Sequence, residues 1–203
     1  MITKELKKKN YIRFLQLEYY DAKSHYFLVL VFLLEIELIK IFVSSEDKQL
    51  REIKYQWLIE ELDHNHSKYF ITNALQNYKK KFSREIIDYI NAFKEIENNE
   101  RRAFEIETFK KITQKLNALI HITKLPIKFS SNFLFCYFYF LYNVRDKSFI
   151  KKKILDKHFK KYINNEIDDL EITFIRIFRK KYKFEINKLS FFYLLLKRKL
   201  FKS

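Results

Sequence analysis

Two clusters of carboxylates and histidines contain the residues of this chain best suited to binding a metal ion. The first consists of Glu60, Glu61, Asp63, His64 and His66. Glu60 and His64 are four residues apart, a spacing that places both on one helix face, where they could share a hard cation. A histidine near a helix C-terminus is also ordinary compensation of the helix dipole. We favour that interpretation and predict no metal site here.

The second cluster, Asp168, Asp169 and Glu171, lies in the C-terminal third of the chain. Asp168 and Glu171 share a helix face, but a full DDxxD metal motif would need a carboxylate at Ile172. The electrostatics of a helix start explain these residues more simply. Cys136 stands among aromatic and aliphatic residues, where a buried thiol is normally inert. These residues therefore predict no catalytic group.

The sequence contains no glycine. Walker loops and dinucleotide fingerprints need glycine for close approach of the backbone to phosphate, so nucleotide binding by these routes is excluded. Hairpins and type II turns also depend on glycine, whereas helices can begin at Ser, Thr, Asn or Asp and end at Asn. The missing glycines therefore predict an all-α fold, although A/T-rich codon usage would favour the same composition.

Length and composition predict one domain over residues 1–203, because 203 residues of which 48% are hydrophobic can bury a sizeable core. A single cysteine suits a reducing compartment, so we expect a cytoplasmic protein. No small-residue cleavage site follows the N-terminal lysines, and we expect no signal peptide. Residues 26–43 contain three charges and the apolar run 133–142 is too short to cross a bilayer, so neither is predicted to span a membrane.

Positive charge is concentrated at the C-terminal end. Of the net charge of +16, residues 145–203 contribute +11, from 18 Lys plus Arg against 7 Asp plus Glu. Such a segment is suited to an anionic membrane surface, an acidic protein partner or nucleic acid. The alternative is that these lysines only solvate helix faces. No nucleic-acid-binding motif accompanies them, so we do not expect nucleic acid as a partner.

Capping residues and apolar spacing predict a series of helices. They start at Thr3, Ser24, Ser44, Ser67, Ser83 and Asn99, the last running to Ile122 before Pro126, with further helices at 132–142, 148–163, 166–181 and from 187. The helix after Ser44 places Leu50, Ile53, Trp57 and Leu58 at helical spacing on one face.

Residues 20–62 resemble the squalene/phytoene synthase family. In that family an apolar helix with an "AFNxE"-type end leads through a short acidic link to an "IRLQWW"-type helix. The matching pieces here are LLEIE at residues 33–37 and IKYQW at residues 53–57. Residues 67–96 resemble the two short helices that follow, and 99–122 the next one. The resemblance covers residues 1–122, and residues 123–203 form a basic helical part outside it.

The resemblance implies a single-domain helical bundle of the prenyl-synthase type, here truncated, with a central cavity. Catalytic members condense two prenyl diphosphates head to head and hold them through Mg²⁺ on two Asp-rich helix motifs. At the first of these motifs this chain has Ile39, Lys40 and Val43, and residues 99–122 contain no DxxxD. The chain therefore resembles the branch without Asp motifs, whose mitochondrial members are complex I assembly factors.

We thus predict a catalytically degenerate protein without a cofactor, acting as an assembly factor or as a lipid- or isoprenoid-binding module. Its basic C-terminal helices would dock on the inner face of a membrane. The predicted pocket residues are Glu37, Lys54, Gln56 and Trp57, with Glu37 pairing with a base across the cavity. The alternative is that Trp57 is a core residue and Glu37 is solvated.

Two other functions remain open at this point. One is an active prenyl-diphosphate transferase that holds Mg²⁺ through non-standard ligands such as Glu35, Glu37 or Asp168. The other is a basic nucleic-acid-binding protein, which would bind DNA or RNA with an affinity that falls steeply with salt.

Overall fold

A computed structural model describes residues 2–20, 25–45, 47–64, 67–95 and 106–125, all within one compact unit, Met1–Phe129. These residues form seven α-helices and no strand, so the all-α prediction is confirmed for this part of the chain. The helices are α1 (Ile2–Lys9), α2 (Tyr11–Tyr19), α3 (Tyr26–Ser44), α4 (Lys48–Asp63), α5 (Phe70–Gln76), α6 (Lys79–Lys94) and α7 (Ile106–Ile122).

Several predictions fall on residues that the structure does not describe. They are the helices after Pro126, the basic part 145–203, Cys136 and the cluster around Asp168. The extension of one domain over residues 1–203 and the prenyl-synthase type of the bundle also stay predictions.

The N-terminal segment forms two helices where the sequence predicted one. Asn10 separates α1 from α2 and caps the second, because its side-chain oxygen accepts a hydrogen bond from the Arg13 backbone N–H at 3.1 Å. Asparagine competes with helical backbone bonding in this way, which is why it favours helix starts over helix interiors. The break turns α2 so that Arg13 is fully buried.

Helix α3 is the most deeply buried element and contacts α1, α4 and α5. Every residue from Phe27 to Glu35 is at most 1% exposed. A helix enclosed by neighbours can be apolar around its whole circumference, and this explains the unbroken apolar run in the sequence. Within the described part of the chain, no helix combines the length and apolarity needed to cross a membrane.

Helix α4 begins at a different residue from the one predicted. Ser44 is the last residue of α3, and Asp47 is the N-cap of α4, accepting hydrogen bonds from the backbone N–H groups of Gln49 at 2.8 Å and Leu50 at 3.3 Å. The predicted start at Ser83 is likewise wrong, because Ser83 lies inside α6. At the start of α4, Asp47 is a better cap than Ser44 because the charge of its carboxylate also complements the helix dipole.

Helices α6 and α7 pack against each other, and each has buried apolar residues at helical spacing. Buried residues of this pair are Ile86, Ile90, Phe93, Ile112, Leu116, Leu119 and Ile120. After α7 the chain turns through Lys124, which adopts the left-handed conformation with φ of 59°. Glycine usually occupies that position at a helix end because it has no Cβ, and in this glycine-free chain a lysine takes the strained position instead.

Candidate functional site

Glu37 lies on α3 and is neutralised by lysines. Lys40, one turn along the same helix, donates to its carboxylate at 2.7 Å, and the Lys9 ammonium of α1 lies 4.0 Å away. The Tyr69 hydroxyl also donates to this carboxylate, and burial, followed by the charge and hydrogen bond of Glu37, raises the pKa of Tyr69. Glu37 therefore has basic partners at the rim of the helical unit.

Lys54 and Gln56 make separate surface contacts on α4. The Lys54 ammonium donates to the Ser44 hydroxyl at 3.4 Å. Gln56 donates to Glu60 at 3.3 Å and accepts from the Lys94 ammonium at 3.0 Å. Residues two positions apart point to opposite sides of a helix, so these two side chains do not meet.

Trp57 is 44% exposed, and its ring centroid lies 5.5 Å from that of Tyr69. Tyr69 thus connects Trp57 to Glu37, since it contacts the first through its ring and the second through its hydroxyl. Of the four residues predicted to form a pocket, the structure links Glu37 and Trp57 through a residue that the sequence did not single out.

The buried face of α4 is a different one from the face indicated by the sequence pattern. Its buried residues are Arg51, Tyr55, Leu58 and Leu62. Leu50, Ile53 and Trp57 share a second face, and they are 42%, 65% and 44% exposed. The prediction that grouped Leu58 with these three is wrong. We call Leu50, Ile53 and Trp57 the α4 stripe.

Polar contacts to α3 and to the link before α4 hold the buried face of α4 in place. They explain why this face, and not the α4 stripe, points into the helical unit. The Tyr55 hydroxyl donates to the Leu38 carbonyl of α3 at 3.1 Å, and the Arg51 guanidinium donates to the Ser45 carbonyl at 3.0 Å and lies 5.3 Å from the Phe42 ring centroid. Burial raises the pKa of Tyr55 well above its ordinary value, with the Arg51 charge opposing the shift. Hydrogen bonds to a neighbouring backbone specify orientation, which apolar periodicity alone does not.

A buried ion pair joins α2 to α3. The Arg13 guanidinium donates to both oxygens of Glu35, from Nε at 2.8 Å and from Nη2 at 2.6 Å, and both side chains are 0% exposed. Arg13 also donates to Gln16 at 2.8 Å and lies 4.8 Å from the Phe32 ring centroid. The Tyr89 hydroxyl of α6 donates to Glu35 at 3.0 Å.

This cluster, Arg13, Gln16, Glu35 and Tyr89, ties three helices together inside the unit. Sequence reasoning named Glu35 only as a non-standard metal ligand. The available signal was a carboxylate within a long apolar helix, which must find a cation or a set of donors because a lone buried charge is very costly. Here its oxygens are occupied by two guanidinium hydrogen bonds and a phenol.

At the end of α4, His64 and Glu61 of the histidine and carboxylate cluster make local structural contacts, whereas His66 lies outside the described residues. The backbone N–H of His64 donates to the backbone carbonyl of Glu60 at the end of α4, and the Glu61 carboxylate accepts a hydrogen bond from the Ser67 hydroxyl. Across the described ranges, no group of three or more His, Cys, Asp or Glu side chains lies close enough to hold a metal ion.

Comparisons of the chain with protein-family models, with curated proteins and with solved structures gave no match. The fold and the surface chemistry described above are therefore the basis for a function.

Proposed function

We propose that this chain is a non-catalytic helical protein of the squalene/phytoene synthase type that acts by binding, as an assembly factor or a lipid- or isoprenoid-binding module. The α4 stripe is the observation that carries this proposal. Single exposed apolar side chains are common on protein surfaces, but a contiguous stripe marks a surface that another molecule covers. Trp57 is also of the residue type most enriched at the centres of interfaces.

The chemistry of the carboxylates supports a binding function over catalysis. Glu35 is engaged by Arg13 and Tyr89 and is fully buried, so it has no free face for a metal. Glu37 lies beside two ammonium groups, which would compete with Mg²⁺ for its oxygens. Lys40 itself stands at a position where the resemblance implies a metal-binding carboxylate.

A diphosphate-release assay tests the non-catalytic part of the proposal. Full-length protein is incubated with farnesyl or geranylgeranyl diphosphate and Mg²⁺, and we expect no release above a protein-free control. Release that Glu37→Ala abolishes, while the exposed control Glu52→Ala retains it, would establish a transferase and refute the proposal.

Vesicle flotation tests the lipid-binding form of the proposal. The chain carries a net charge of +16, so peripheral docking predicts recovery with anionic phosphatidylglycerol vesicles and little with neutral phosphatidylcholine. Equal recovery with both would contradict electrostatic docking. The emission of Trp57, the single tryptophan, reports in the same experiment whether the α4 stripe enters the lipid.

A further inference from the structure

We propose that the α4 stripe is the contact surface of a symmetric homodimer, in which the α4 helices of two copies pack antiparallel. The inference rests on the proposed binding function and specifies its partner, which is a second copy of this chain. It is drawn from the shape of the stripe and from the charges that flank it.

The shape of the stripe suits a helix. Leu50, Ile53 and Trp57 follow one another at intervals of three and four residues, so they form a single narrow row about 10 Å long. A row of this kind fits into the groove between side chains of another helix, as in ordinary helix–helix packing. Broader and flatter apolar surfaces are what a sheet or a cavity wall would need.

The charges along α4 are self-complementary. Outside the buried face, its first half, residues 48–55, contains Lys48, Lys54 and Glu52, a balance of +1. Arg51 is buried and does not contribute to this balance. The second half of α4, residues 56–63, contains Glu60, Glu61 and Asp63, a balance of −3. An antiparallel pair of α4 helices brings the basic half of each copy against the acidic half of the other, and it also opposes the two helix dipoles. A parallel pair would bring like charges together.

The same polarity argues against a bilayer as the occupant of the stripe. The acidic half of α4 begins directly after Trp57, and an anionic membrane surface would repel Glu60 and Asp63 there. The cationic segment 145–203 supplies most of the charge available for lipid, and it is a different part of the sequence.

The periodicity of α4 fixes a register for the dimer. When Ile53 of one copy lies over Trp57 of the other, residues whose numbers sum to about 110 face each other, and the pairing is the same in both directions. On the flank of the stripe this places Gln49 of each copy opposite Glu60 of its partner. Both side chains are exposed in the single chain. The amide of Gln49 can then donate to the Glu60 carboxylate twice per dimer.

Sedimentation equilibrium of the full chain tests the proposal together with Trp57 fluorescence. The stripe is small against the roughly 800 Å² per partner of a stable interface, so we expect a transient dimer visible between about 1 µM and 1 mM. The average mass should rise from 25.3 kDa towards twice that value. Trp57 emission should shift to the blue, and acrylamide quenching should weaken, over the same concentration range.

Substitutions in the α4 stripe test whether the dimer forms through this surface or through another one. Ile53→Asp should leave the chain monomeric at every concentration, because it buries a carboxylate at the centre of the contact. Tyr26→Ser is the matched control, since Tyr26 is an aromatic residue of α3 with a similar 43% exposure and lies off the stripe. It should dimerise like the natural chain. Circular dichroism verifies that both variants keep their helices.

Charge exchange tests the antiparallel register. Gln49→Glu should raise the dimer Kd about tenfold, because it places two carboxylates together at two symmetric positions. Glu60→Lys alone should change the Kd by less than about threefold, because the lysine faces the uncharged Gln49 amide, whose oxygen can accept its hydrogen bond. The double variant should return to within about threefold of the natural chain. Both substitutions favour α4 itself, since an acid in the first turn and a base in the last complement its dipole. Loss of the dimer would therefore not reflect loss of the helix.

Three results would overturn the homodimer. They are a monomer at 1 mM, a dimer whose formation leaves Trp57 emission unchanged, and a blue shift that requires vesicles. Each of these leaves the non-catalytic proposal standing, because only diphosphate release contradicts that proposal.

Discussion

Replacing Glu35 with glutamine would remove the carboxylate that neutralises the buried Arg13 guanidinium inside the helical unit. The natural pair has two short hydrogen bonds, at 2.8 and 2.6 Å, and neither side chain reaches solvent. Removing one partner of such a pair typically costs about 3–5 kcal/mol of unfolding free energy, because the remaining charge stays desolvated. In a chain of this length the loss corresponds to a melting temperature lower by roughly 6–20 °C.

The pair as a whole should contribute much less than this. In Arg13→Met/Glu35→Leu both charges are replaced by apolar side chains, and substitutions of that kind are often close to neutral. Tyr89 then loses the Glu35 carboxylate as an acceptor, which costs up to about 1–3 kcal/mol for a buried hydroxyl, and Tyr89→Phe in the same background should recover most of that loss. We therefore expect the triple variant to be more stable than either single variant at Arg13 or Glu35.

Urea unfolding followed by circular dichroism measures these differences as a double-mutant cycle. Asp88→Asn is the matched control, because it removes an ion pair of similar length, 2.8 Å to Lys115, that is exposed. It should cost less than about 1 kcal/mol. If Glu35→Gln costs no more than that control, or if the costs at Arg13 and Glu35 add without coupling, the reasoning about the buried pair is wrong.

Three further outcomes follow from the geometry of single positions. Lys124→Gly should stabilise the protein by about 1 kcal/mol, because glycine has no Cβ to clash at positive φ. Lys115→Gly inside α7 should destabilise the protein by a similar amount, and thermal melts of the two variants measure both effects. Leu58→Ala should cost about 2–5 kcal/mol in urea unfolding and Ile53→Ala within about 0.5, and equal costs would contradict the assignment of the buried face of α4. The raised pKa of Tyr55 keeps its phenol protonated in the folded state, so stability should fall as pH rises above about 10, where the unfolded phenol ionises. Phenolate absorbance should show tyrosines that titrate only on unfolding, and Tyr55→Phe should lower their number by one.

Local signals in the sequence were sufficient for the existence of most helices in the described part. The apolar run of α3 and the spaced apolar residues of α6 and α7 predicted that these helices exist. Exact starts were less predictable, because several capping residues compete within a few positions. Ser44 and Asp47 are both good caps, and the one that caps α4 also complements the helix dipole.

The α4 stripe shows why helical periodicity did not predict which side chains of α4 are exposed. Helix α4 has two candidate inward faces, one with Leu50, Ile53 and Trp57 and one with Tyr55, Leu58 and Leu62. Helical spacing identifies both but does not rank them. The choice depended on Tyr55 reaching the Leu38 carbonyl of α3, which is a contact between helices.

By itself, the sequence determined the helical class and the exclusion of glycine-based phosphate loops, because helix propensity, capping and backbone freedom act within a few residues of the chain. It also placed the carboxylate of Glu35 within a long apolar run, although sequence reasoning named that residue only as a metal ligand. Only the tertiary structure decided that the partners of this carboxylate are Arg13 and Tyr89, which are 22 and 54 residues away, and that Trp57 faces outward. Which residues meet across such distances follows from how whole helices pack, and packing is selected by the summed burial of many side chains at once.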